Sequence, residues 1–140
     1  MLGAKRQKHW LSDQSFARKF GFSVVDETDN GYALLARSFD GTKPTFAKNV
    51  KTQEVENKEL TIYYDMQCPY IYQNIEMIKQ HCILHNIPIS FIHVDTLQKA
   101  KELPCVFNNW SVFYKGKLET INLLDIKSLS RILKKSENKL

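Results

Sequence analysis

Cys68 is the residue best placed to do chemistry. It follows the run Leu60-Thr-Ile-Tyr-Tyr64 after only Asp65-Met-Gln67, and Pro69 comes next. Branched and aromatic content makes 60–64 a strand. Pro69 fits the first position of a helix, so Cys68 is expected to cap that helix. A thiol there meets free backbone N–H groups and the positive end of the helix dipole, both of which favour thiolate. Thiols in such settings titrate at about 3.5 to 7.5, against about 8.5 for a free cysteine. Cys68 is therefore the candidate nucleophile; the alternative is a small, half-buried capping residue without reactivity.

Other residues are weaker candidates. Cys105 could serve as a resolving partner for Cys68 if the loops bring the two within disulfide reach. His81 and His85 share a helix face, but Cys82 falls on the apolar stripe and no fourth ligand has suitable spacing, so no metal site is expected. His93 lies mid-strand with Ile89 and Phe91 on its face and reads as a core or rim histidine rather than a base. Tyr63, Tyr64, Tyr70, Tyr72, Trp110 and Tyr114 are numerous enough for a stacking surface, yet most sit where packing would use them. The chain has no G-x-S-x-G, P-loop or dinucleotide fingerprint.

The elements that must position these residues can be read from spacing. Ile71, Ile75, Ile78 and Cys82 recur at helical intervals and predict a helix to about Asn86. Pro88-Ile-Ser-Phe-Ile-His-Val94 returns as a strand parallel to 60–64. A short helix is expected from Thr96 to about Leu103, then strands 110–114 and 118–121 around Lys115-Gly116. A last helix comes next, capped by Asp125, with Leu124 and Leu129 as a staple and Ile126, Leu129, Ile132 and Leu133 facing inward. The order β-α-β-α-β-β-α is the thioredoxin-like layout.

Towards the N-terminus, Ser12 can cap a helix carrying Phe16, Ala17 and Phe20 on one side. Leu11 and Phe16 form a staple, and Gly21 is the left-handed terminator. Residues 22–26 and 32–39 read as two strands around Asp29-Asn30-Gly31. Adjacent Leu34 and Leu35 put apolar groups on both faces of the second, as in a larger sheet whose other strands the sequence does not reveal. The stretch 40–58 has neither period and reads as a linker. The expected organisation is thus 1–39, linker 40–58, and 59–140, of mixed α/β (α+β) class.

Composition narrows the functional classes. The chain has 140 residues, 43% hydrophobic and 25% charged, so it is globular rather than disordered or fibrous. No apolar run is long enough for a membrane span and Met1-Leu-Gly-Ala-Lys-Arg carries no signal-peptide core, so a cytoplasmic chain without membrane partners is expected. The net charge of +5 is spread over both halves; the one cluster, Lys5, Arg6, Lys8 and His9, reads as a solvated start, and nucleic acid is not an expected partner. Three cysteines are an odd number for a disulfide scaffold, and free thiols are expected.

Parts of this pattern resemble three known families. Cys-Pro-Tyr at 68–70 is similar to the start of the glutaredoxin active-site loop, with Ile71 where a dithiol enzyme has its second cysteine; only monothiol exchange is then implied. Such folds also set a cis-proline before the third strand, where this chain has Val106, Phe107, Asn108 and Asn109. Residues 10–39, Trp10-Leu-Ser-Asp-Gln-Ser-Phe-Ala-Arg-Lys-Phe-Gly-Phe-Ser-Val-Val-Asp26 with Tyr32-Ala-Leu-Leu35, resemble the last helix and closing strands of a GNAT-type N-acetyltransferase. Residues 59–134, with Tyr63-Tyr-Asp-Met-Gln-Cys-Pro-Tyr70 and Ser111-Val-Phe-Tyr-Lys-Gly-Lys117, resemble the YoaP-like domain that comes after such a domain in some bacterial acetyltransferases.

The resemblance implies acetyl transfer from acetyl-CoA to an amine in the complete family protein. The Gln/Arg-x-x-Gly-x-Gly/Ala loop that holds the CoA pyrophosphate is absent here, and Phe16 and Phe20 stand where a tyrosine acid would be needed. This chain is therefore expected to bind no cofactor and to be inactive alone, as a fragment or subunit. Its implied partners are the GNAT N-terminal half or a second copy through an exposed sheet edge. Cys68, Pro69 and Tyr70 match the YoaP-like motif, Cys68 as candidate thiol and the other two as candidate substrate contacts. A non-catalytic module binding a peptide or substrate is the remaining alternative.

Overall fold

The computed structural model describes residues 1–4, 14–107 and 109–135. The chain divides into two compact units, 1–51 and 52 onward. Each has its own sheet, which makes the class mixed α and β.

The first unit is built on strand β3 (Tyr32–Ala36), flanked by β1 (Leu2–Ala4) and β2 (Ser23–Glu27), both antiparallel to it. Strand β1 was not expected from the sequence. It supplies a neighbour that the double-faced Leu34-Leu35 pair calls for, and the Leu35 N–H donates to the Met1 carbonyl at 2.7 Å. The hairpin closes through Thr28, whose N–H donates to the Tyr32 carbonyl at 2.9 Å, with Gly31 at φ +98°. Strand β3 ends at Ala36, and Phe39 is exposed. A small core of Ala17, Ala33 and Leu35, with Phe22 and Val24 against it, fills the unit.

Helix α1 (Gln14–Arg18) ends as its sequence dictates. The Phe22 N–H reaches the Ala17 carbonyl at 3.3 Å and the Gly21 N–H reaches the Arg18 carbonyl at 3.1 Å, with Gly21 at φ +78°. This closure needs a left-handed residue and satisfies two orphan carbonyls. The inward side is corrected, however. Only Ala17 of the expected trio is buried; Phe16 and Phe20 are exposed and pack on each other, ring centroids 5.3 Å apart. Five residues make barely more than one turn, so a single side chain can face the sheet. The expected cap Ser12, its staple partner Leu11 and the basic cluster at 5–9 lie outside the described residues.

The expected linker 40–58 carries structure. Helix α2 (Lys48–Thr52) lies within it, too short to show a period. Asp26 holds the segment before it: its carboxylate accepts the Phe46 N–H at 2.8 Å and pairs with Lys51 at 2.6 Å. Those contacts keep the Asp26 carboxyl below the usual range, the Lys51 hydrogen bond first and the Phe46 N–H next. Further on, Glu54 bridges Lys117, the Val55 N–H donates to the Gly116 carbonyl at 2.9 Å, and the Leu118 N–H donates to the Gln53 carbonyl at 3.2 Å. This covers an edge that would otherwise be open.

The second unit is a four-stranded sheet in the order β5-β4-β6-β7, made of β4 (Leu60–Tyr64), β5 (Ile89–His93), β6 (Trp110–Tyr114) and β7 (Lys117–Thr120). β4 runs parallel to β5 and antiparallel to β6, and β6 is antiparallel to β7. Lys115 and Gly116, both at positive φ, turn β6 into β7. A side chain at Gly116 would meet the Val55 carbonyl at 2.8 Å.

Alternation along β4 and β6 creates two cores. Leu60, Ile62, Trp110 and Val112 form one with Ile71, Ile78 and Cys82 of α3 (Ile71–Leu84) and Leu129 of α5 (Ile126–Lys135). Tyr63 and Phe113 turn to the other face, where Val94, Leu103 and Cys105 pack, with Ala100 of α4 (Leu97–Glu102). α3 and α5 therefore cover one face and α4 the other. The helix ends reflect their residues. Asp125 accepts the Ser128 N–H at 2.6 Å and Thr96 accepts the Lys99 N–H at 3.2 Å. α3 closes with Asn86 at φ +53° and the Ile87 N–H on the Cys82 carbonyl at 2.8 Å.

Burying a side chain such as Ile78 completely is worth about 1.5–3 kcal/mol, and truncating it leaves a cavity besides. Ile78→Ala is expected to lower the unfolding free energy in urea, followed by circular dichroism, by about 2–5 kcal/mol. Ile83→Ala, at a side chain 67% exposed on the same helix, should stay within about 0.5 kcal/mol. Equal losses would contradict the buried stripe.

Candidate functional site

The parallel register of β4 and β5 pairs Tyr64 with His93 and brings the C-terminal ends of both strands side by side. Ligands in open α/β sheets gather at such ends. The Val94 N–H donates to the Tyr64 carbonyl at 2.7 Å, and the Asp65 N–H to the Asn109 carbonyl at 3.2 Å, which ties the end of β4 on both sides.

Beyond Tyr64 the chain turns on Asp65, whose Oδ1 accepts the Gln67 N–H at 2.9 Å. Cys68 comes next, half-buried against the α3 core. Its carbonyl accepts the Ile71 N–H at 3.1 Å, and the Tyr70 carbonyl accepts the Asn74 N–H at 3.1 Å. The helix therefore starts two residues later than expected. Tyr70 is its N-cap, with no side-chain cap bond, and Pro69 lies in the preceding turn. A turn prefers the same fixed φ of proline that a first helical position does, so the residue could not distinguish them. Tyr70 and Tyr72 point outward, 67% and 62% exposed, whereas Trp110 is buried and Tyr63, Tyr64 and Tyr114 are partly buried in packing.

All three cysteines are free. Cys68 and Cys82 pack on the α3 side of the sheet and Cys105 on the α4 side, so the structure does not bring Cys68 and Cys105 together. Burial pushes the Cys82 and Cys105 thiols up. His81 and His85 lie with ring centroids 4.4 Å apart while Cys82 turns into the core. Among the described residues no group of three or more His, Cys, Asp and Glu could hold a metal ion.

A wide, open depression of about 460 Å³ lies where the two strands end, bordered by Asp65, Met66 and Gln67 on one side and His93, Asp95 and Thr96 on the other. Cys68, Pro69 and Tyr70 are not part of its wall. His93 stacks on Tyr64 with ring centroids 4.9 Å apart and 8° between planes, a rim position. Its Nδ1 stands 3.9 Å from Asp95 Oδ2, and Lys99 Nζ reaches both Asp95 Oδ1 at 2.6 Å and the His93 carbonyl at 3.1 Å. Lys99 holds the Asp95 carboxyl below the usual range. Asp65 and Asp95 were missed by sequence reasoning. The available signal was a charged residue placed directly after each of two apolar strands, at the ends that a parallel pair brings together.

The described residues offer no cradle for the CoA pyrophosphate. Gly21, Gly31, Gly41 and Gly116 all take positive φ in turns, Gly3 lies in β1, and none opens a helix.

A family model described as YoaP-like matches residues 88–131, which contain β5, α4, β6, β7 and the start of α5. The chain is 26% identical over 134 residues to a protein of Bacillus subtilis (strain 168) named uncharacterized N-acetyltransferase YoaP. That match takes in 94% of this chain and 53% of the relative, so the chain spans about half the length of the curated relative it matches. No solved structure matches. The chain thus has a YoaP-like relationship, with homology to a protein named as an N-acetyltransferase.

Treated with iodoacetamide in the folded state and mapped by peptide mass, Cys68 is expected to label first. Cys82 and Cys105, both buried, should label at least about tenfold more slowly because their exposure requires local opening. Labelling of all three at one rate would contradict this placement.

Proposed function

We propose that this chain is the C-terminal part of a YoaP-type N-acetyltransferase. In this reading residues 1–39 are the closing helix and strands of a GNAT domain, 59–140 are a thioredoxin-like YoaP-like domain, and 40–58 connect the two. The acetyl-CoA site lies in sequence that this chain does not contain, and the GNAT N-terminal half is the partner. The observation that carries the reading is the 134-residue match, which runs through both units in a single relative. Two features support it. The β5-β4-β6-β7 order, with α3 and α5 on one face and α4 on the other, suits a thioredoxin-like domain. Among the described residues, β1 and β2 pair only with β3, which leaves an outer edge on each for further strands.

The exposure of Tyr70 and Tyr72 beside a half-buried Cys68 favours a second reading of the 59–140 unit. There it recognises a substrate or peptide, and Cys68 is a packing residue rather than a monothiol exchange site.

The test is acetyl-CoA turnover, read as CoA release by chromatography with a mixture of amines. The purified chain alone is expected to release none above buffer. Co-expressed with the N-terminal half of the Bacillus subtilis relative, it should co-purify and the complex should release CoA. Turnover by the chain alone, or failure of the halves to associate, would overturn the proposal.

A further inference from the structure

Leu129 of α5 is buried in the sheet-facing core, with Ile126, Ile132 and Leu133 packed against it. Along one side of the same helix Ser128, Arg131, Ile132 and Lys135 follow one another at intervals of three and four residues, so they share a stripe. That stripe lines a half-open cleft of about 280 Å³ together with Glu119 and Thr120 at the end of β7 and the loop from Asn122 to Leu124.

The polar groups of this lining are mostly donors. Glu119 is the one carboxylate among them; its side chain is 19% exposed and pairs with Lys135 Nζ at 3.1 Å. Thr120 Oγ1 accepts the Asn122 N–H at 3.1 Å, which uses the hydroxyl as an acceptor and leaves its O–H to donate. Arg131 is exposed and makes no hydrogen bond or ion pair among the described residues. Asp125 attracts it only through space, its carboxylate being taken by the Ser128 N–H. Arg131 and Lys135 against Glu119 therefore leave one positive charge unmatched, on a planar fork of N–H donors. The remaining lining is apolar, Leu123, Leu124 and Ile132, and Leu123 stands 40% exposed.

We propose that this cleft binds a small organic anion, a carboxylate on a short branched apolar body. Arg131 holds the carboxylate, Thr120 adds a donor, and Leu123, Leu124 and Ile132 lie against the body. A carboxylate meets a guanidinium in two parallel hydrogen bonds, and an apolar body takes the exposed leucine out of water. Ligand clefts commonly run from about 300 to 1,000 Å³, so one of about 280 Å³ suits a molecule of only a few carbons. No residue is shared with the depression at the ends of β4 and β5, and the inference uses nothing from the acetyl-transfer reading.

The experiment is a titration of the ¹⁵N-labelled full chain in about 0.15 M salt, where charges away from the site are largely screened. The probes are isocaproate, acetate and 4-methylpentan-1-ol. Saturable amide shifts confined to 119–124 and 128–135 are expected with isocaproate. Acetate keeps the charge without the body and the alcohol keeps the body without the charge, so each should bind at least about tenfold more weakly. Arg131→Gln removes the charge at an exposed position and should weaken isocaproate binding at least about tenfold. Lys134→Gln removes an equal charge from the same helix but outside the cleft lining, and should leave affinity within about twofold. Thr120→Val should weaken binding several-fold, and circular dichroism establishes that each variant folds. The proposal is overturned by absent or unsaturable shifts, by acetate or the alcohol binding as tightly as isocaproate, or by equal affinities in Arg131→Gln and Lys134→Gln.

Discussion

Strand β4 is the constraint on which the second unit depends. It pairs with β5 on one side and β6 on the other, so its backbone groups are satisfied by its neighbours, and its side chains serve both cores. Leu60 and Ile62 enter the α3 and α5 layer, and Tyr63 enters the α4 layer. The parallel pairing with β5 has a geometric consequence that an antiparallel pairing would lack. Both strands finish at the same edge of the sheet, so the two segments beyond them, 65–68 and 93–95, become neighbours although they are far apart in sequence. The depression exists because of that alignment.

Much of this was legible beforehand, and the reasons are local. The apolar and aromatic run 60–64, the spacing of Ile71, Ile75, Ile78 and Cys82, and the Asp125 cap each state their structure within a few residues. Gly21 was readable as a left-handed terminator because few other residues tolerate that φ. The features that escaped depend on contacts distant in sequence. β1 has three residues and no period, and its existence rests on pairing with Leu34, Ala33 and Tyr32. The segment before α2 is held by Asp26, twenty residues upstream of Phe46. Phe16 and Phe20 looked like a core stripe, but a one-turn helix presents only Ala17 inward.

The candidate site shows the same division. Cys68 drew attention through its neighbours, and the structure sets it half-buried in a turn before α3 rather than at the helix cap. The carboxylate at the strand end, Asp65, was invisible as a site residue because its place comes from burial and from the pairing of β4 with β5, neither of which is a property of sequence spacing. The relationship to a YoaP-like protein accounts for the chain as about half of a longer relative. It also fits the absence of any helix-opening glycine loop among the described residues.

The central claim is that β4 and β5 run side by side in the same direction and end together. Amide-resolved NOE spectroscopy on the labelled chain tests it directly. The account predicts that the Val94 amide shows cross-strand contacts to Tyr64 and Asp65, and that residues 60–64 show antiparallel contacts to 110–113. Contacts from Val94 to the Leu60 end of the strand instead would contradict the register and, with it, the depression.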